Sequence, residues 1–245
     1  DRMQFLPLYF DSWPQILQVV DAWRQAGGDP NRASGEAAAA IAFLSGLFPG
    51  AAQRTAVVEW VGALEAERAA FFDAWWAETQ PAALAAEAEA LWRTLQPDLT
   101  PFLRYTDASS GRVALTPSLG GEGRLDVGRG VAVASVGART GENARSVVGR
   151  LIHELAYSLA AEAVRDAVAP ARIREIGEDV LVARAAVRAG AMVLERVAPA
   201  LSAAYREDYL EAAGGDPDRS TLAERFPLPA ELLDALESSV RLATA

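Results

Sequence analysis

Arg112-Val113-Ala114-Leu115-Thr116, Gly123-Arg124-Leu125-Asp126-Val127 and Val131-Ala132-Val133-Ala134-Ser135-Val136 make up the one stretch of this sequence that reads as strand. Glycines and β-branched residues replace the alanine-rich helical pattern there, and Gly-containing segments separate the three runs. Three short strands so close in sequence predict a small three-stranded antiparallel sheet. Upstream, Ile16, Leu17, Val20 and Trp23 recur at helical spacing between Ser12, a candidate cap, and the stop signal Gly27-Gly28. Further helical segments are expected from Ser34 to Phe48, from Ala51 to Glu78 as one long helix or a broken pair, and from Pro81 through Leu95, with a short helix after Pro97. Downstream, helices are expected over 143–168, with Asn143 as the cap, then over 171–197 and 199–212, and finally from Pro229. The predicted fold class is mainly α (α+β). A helical N-terminal region, 1–105, precedes a region, 106–245, that holds the sheet and a second set of helices, as two parts or one continuous domain.

Composition narrows the chemistry. With 245 residues and 51% hydrophobic residues, the chain has ample material for a core. All 23 basic residues are Arg, so lysine Schiff bases and a P-loop lysine are excluded. The absence of Cys excludes disulfides, thiolate nucleophiles and cysteine zinc sites. A net charge of -10 argues against nucleic acid as a partner, because binding a phosphate backbone requires clustered positive charge. No uninterrupted apolar run reaches the roughly 18 residues of a membrane span, so a soluble protein is expected. The chain begins at Asp1, which suggests a processed or truncated chain lacking its targeting segment; localisation stays open, with export as one reading. Oligomeric state is not legible. The six Trp all lie at or before Trp92, which reads as aromatic core packing in the N-terminal half.

The most restrictive feature is the single histidine, in Arg150-Leu151-Ile152-His153-Glu154-Leu155-Ala156-Tyr157. On a helical wheel Val148, Leu151, Ile152, Leu155 and Leu159 form one core face. His153 and Tyr157 point nearly the other way, on a stripe with Ser146, Gly149, Ala160 and Val164. A solvated face would carry charge there, so His153 and Tyr157 are expected to face a second layer or a cleft. In the following helix, Glu178 shares a stripe with Val182, Ala185 and Ala189. A carboxylate among small apolar residues needs a partner, which makes Glu178 a candidate to meet His153 across two adjacent helices.

A strand, then a helix bearing His-Glu, then a helix with a Glu about 25 residues on, resembles the zincin metallopeptidases and is similar to their gluzincin branch, whose pattern is H-E-x-x-H with a downstream Glu. The resemblance covers roughly residues 112–210 and implies a zincin-like helical C-terminal half with zinc as cofactor. It implies His153 as first ligand, Glu154 as general base, Glu178 as carboxylate ligand, and Tyr205 or Tyr209 as transition-state hydrogen-bond donor. It further implies that the strand at Val131–Val136, through Val131, Val133 and Ser135, is the edge strand that pairs with a peptide substrate. Tyr157 occupies the place of the second histidine. A catalytic zinc site normally has three protein ligands and an open position for water, so this departure weakens the site.

Three readings follow. The chain is a metallopeptidase-like protein with an impaired or lost zinc site, or an active metal-dependent hydrolase using His153, Tyr157 and Glu178, or a non-enzymatic helical binding protein with a peptide or protein ligand.

Overall fold

The computed structural model describes residues 3–108, 111–116, 123–128, 131–137 and 143–245. Two compact units are present, Asp1–Gln80 and Pro81–Ala245. The composition change near residue 105 marks the passage from a helix to the first strand, and that helix belongs with the second unit.

The first unit opens with a short 3₁₀ helix, Met3–Tyr9, followed by α1 (Trp13–Gln25), α2 (Gly35–Leu47), α3 (Ala51–Glu67) and α4 (Asp73–Thr79). Ser12 caps α1, its hydroxyl accepting from the Gln15 N–H at 3.4 Å, and Gly27 (φ 65°) and Gly28 (φ 84°) end it in a conformation that disfavours side chains. The long segment after Ala51 is interrupted by one π-helical turn, Arg68–Phe72. Trp23 lies fully buried in the core with Ile41, Leu44 and Val57. Its indole N–H donates to Ser45 Oγ at 2.9 Å, and that hydroxyl donates to the Gly28 carbonyl at 2.7 Å. One hydroxyl thus satisfies two groups, so Ser45→Ala is expected to destabilise this unit by about 1–3 kcal/mol through an unmet indole donor. Chemical denaturation followed by Trp fluorescence measures it.

The second unit contains α5 (Ala82–Tyr105), β1 (Gly111–Thr116), β2 (Gly123–Gly128), β3 (Val131–Gly137), α6 (Ala144–Ala167), α7 (Pro170–Ile176), α8 (Glu178–Val197), α9 (Pro199–Ala212), α10 (Leu222–Arg225) and α11 (Ala230–Ala243). α6 is its axis. Capped by Asn143, whose Oδ1 accepts from the N–H groups of Arg145 (2.9 Å) and Ser146 (3.2 Å), it packs against α5, α8, α9, α11 and the sheet. Its closest partner is α8. Ala156, Ala160 and Ala163 of α6, and Ala185, Ala186 and Ala189 of α8, are all buried. Side chains this small let two helix backbones approach closely.

Three expectations need correction here. First, no three-stranded antiparallel sheet forms. The strand order is β1-β3-β2, with β2 antiparallel to β3 but β1 parallel to it. The chain does reverse direction at each connection, yet β3 inserts between the other two. Alternation decides which face a side chain takes and says nothing about which strand lies next to which. Second, the helix beginning at Ala82 runs unbroken through Pro97 and Pro101, where a stop was expected after Leu95. Each proline removes one ladder donor; packing of α5 on α6 and α11 offsets that loss. Third, the helix expected over 171–197 is broken at Gly177, whose φ of 98° separates α7 from α8. Among the described residues, no single helix is long and apolar enough to cross a membrane.

Candidate functional site: a histidine and tyrosine cluster beside a cleft

His153 lies near the middle of α6, and α9 brings Tyr205 and Tyr209 over it. The Tyr209 ring is tilted against the imidazole at 4.9 Å between centroids, Tyr157 meets it edge-on at 5.4 Å, and Tyr205 and Tyr209 lie 4.5 Å apart. Tyr205 is the buried member, 2% exposed. Its hydroxyl donates to the Val187 carbonyl of α8 at 3.1 Å and lies 3.5 Å from His153 Nδ1. Two mid-helix glycines make room for it. An added Cβ would stand 3.3 Å from the Tyr205 ring at Gly149, and 2.4 Å from its hydroxyl at Gly190.

Electrostatics follow from this enclosure. Burial pulls the His153 pKa down to about 4, against which a backbone hydrogen bond at Ala186 pulls weakly upward. The imidazole is therefore neutral at physiological pH. Burial also raises Tyr205 and Tyr209 well above the ordinary tyrosine value, and the Glu154 carboxylate raises both further. Tyr157, 37% exposed, is raised by burial, then by Glu154 and Asp179. All three phenols stay protonated, as donors.

His153, Tyr157 and Glu178 are the residues expected to hold zinc. His153 and Tyr157 do share a face of α6, as their spacing predicts. Glu154 is buried, with Oε1 4.0 Å from His153 Nε2. Glu178, however, is exposed as the first residue of α8, where burial on a small-residue stripe was expected. The wheel assumed a helix continuous through position 178, whereas the Gly177 break turns the first residue of α8 to solvent. Among the described residues, no three His, Asp or Glu side chains are placed to hold one metal ion.

The substrate strand is also displaced. β3 is the middle strand: Val133 pairs with Arg112 on one side and Asp126 on the other, and Ser135 with Ala114 and Arg124. Val131 lies opposite Gly128 at the start of the ladder. With both its edges in use, β3 offers no row of backbone groups to a peptide. The side chains of Val131, Val133 and Ser135 lie outside the described residues.

What the fold does provide is a cleft of about 510 Å³ beside His153. Val180, Ala183 and Val187 of α8, Tyr209 of α9 and Phe226 after α10 supply its apolar surface. Asp179, Arg184 and Arg225 supply its charges. None of these last eight residues except Tyr209 stands out in the sequence. Their periodic pattern on α8 reads as an ordinary amphipathic face, and only docking of α9 and α10 turns that face into a wall. Tested against protein-family models, curated proteins and solved structures, the chain matches none of them.

Proposed function

We propose that the C-terminal unit is a non-hydrolytic binding module that holds a small, mainly apolar molecule in the cleft beside His153. The observation that carries this reading is the cleft itself. Its volume falls within the roughly 300–1,000 Å³ usual for small-molecule sites, and its walls are aliphatic and aromatic with a few polar groups. The neutral imidazole supports the reading further. A base with a pKa of about 4 is a weak proton acceptor at neutral pH, and its ring is occupied by contacts to tyrosines and to the Ala186 backbone. His153, Tyr205 and Tyr209 then act as a rigid, hydrogen-bonded floor.

A neutral fluorescent probe, phenylnaphthylamine, tests the proposal. It should bind the chain saturably at one site, and Ala183→Trp or Val180→Trp, which fill the cleft from α8, should abolish that binding with far-ultraviolet circular dichroism unchanged. Val180 is already largely exposed, so its replacement spares the core. Absence of saturable binding, or binding indifferent to both substitutions, would overturn the reading. So would zinc-dependent peptide cleavage that Glu154→Gln removes.

A further inference from the structure

The charges around the cleft deepen this proposal by pointing to a ligand class. The cleft is lined by two arginines from separate elements, Arg184 within α8 and Arg225 at the end of α10, and by one acidic residue, Asp179. With His153 neutral, its charged lining carries an excess of one positive charge, in a chain whose net charge is -10. Two arginines against one carboxylate in the lining suit an anionic group.

Neither arginine forms an ion pair with a carboxylate among the described residues, where ion pairs engage Arg24, Arg32, Arg68, Arg93, Arg172 and Arg219. Glu224, next to Arg225 in sequence, is held below the usual carboxylate range first by its hydrogen bonds to Thr221 and in smaller part by the Arg225 charge. Its Oε2 accepts from the Thr221 N–H at 2.8 Å and from Thr221 Oγ1 at 3.0 Å, closing the cap of α10. Arg225 itself reaches the Gly214 carbonyl, at 3.4 Å through Nη2, a long bond that anchors the guanidinium beside the cleft. Asp179 does not neutralise the pair: it forms no ion pair with either arginine, and its field is felt at Tyr157.

From this arrangement we infer that the molecule bound in the cleft is an apolar monocarboxylate, its body against Val180, Val187 and Phe226 and its head group held by Arg184 and Arg225. The inference rests on the cleft being the binding site. A single carboxylate balances the excess charge, whereas a phosphate dianion would leave a surplus negative charge beside Asp179. The planar fork of a guanidinium also matches a carboxylate in geometry.

The experiment displaces phenylnaphthylamine from the chain with decanoate and, separately, with decanamide, which has the same chain length and no charge. Both are used below the concentration at which they self-associate. Decanoate should displace the probe at about tenfold lower concentration, as expected for a charge-assisted hydrogen bond worth about 1.5 kcal/mol. Arg184→Gln and Arg225→Gln together should erase that preference. Equal displacement by acid and amide, or a preference that survives in the double variant, would overturn the carboxylate assignment while the cleft reading stands. Failure of the probe to bind at all would overturn both.

Discussion

Gly190→Ala is expected to destabilise the C-terminal unit by about 2 kcal/mol, the cost of overpacking a filled core, although the same change in an open helix stabilises by up to about 1 kcal/mol. The added methyl carbon would lie 2.4 Å from the Tyr205 hydroxyl and 2.9 Å from its Cζ, distances that no side-chain carbon sustains. Tyr205 is enclosed, with Gly149 against its ring on the α6 side, so it cannot move aside without disturbing the α6–α9 packing. Its hydrogen bond to Val187 would be lost with the displacement. Gly62→Ala is the matched control. Gly62 lies inside α3 with nothing within 4 Å of an added Cβ, so there the first unit should gain up to about 1 kcal/mol. Urea denaturation of both variants decides it. A stabilised Gly190→Ala protein would mean that Tyr205 does not occupy this slot.

Acid should weaken the fold through His153 by about 3 kcal/mol, the free-energy equivalent of a pKa lowered from 6.5 to about 4. The sign follows from which state takes up the proton first. Unfolded chain binds it as pH falls through 6.5, while the folded chain resists until about pH 4. The histidine contribution is therefore complete above pH 6.5, declines between 6.5 and 4, and changes no further below. His153→Gln should flatten that part of the stability profile whatever it does to absolute stability. Denaturation midpoints measured across this range compare slopes, which separates the titration from any packing loss. Identical slopes in the two proteins would show that the imidazole accepts its proton in the folded state without difficulty.

Much of the architecture was legible from local chemistry. Ser12 and Asn143 cap the helices that follow them, Gly27-Gly28 stops α1, and His153 and Tyr157 share a face, because each of these depends on residues within one or two helical turns. Strand positions were legible for the same reason. Where expectation failed, a distant segment had intervened. Pro97 and Pro101 are strong local breakers, yet α5 continues through them because α6 and α11 pack along it. Glu178 was placed on a buried stripe by a wheel that took no account of Gly177, although a glycine in that context is itself a signal for a helix boundary.

By itself, then, the sequence determined that this protein is largely helical, that it has only arginine as basic residue and no cysteine, and that its single imidazole lies on a helical face with a phenol. Those properties reside in composition and in spacings of a few residues, where propensity and periodicity act. Tertiary structure alone decided that β3 lies between β1 and β2, that Tyr205 enters a slot made by Gly149 and Gly190, and that Arg184 and Arg225 line one cleft. Each includes at least one pairing of segments well beyond a helical turn or two apart in sequence. Such pairings depend on which surfaces are complementary in the packed unit, and no local pattern along a single chain encodes that choice.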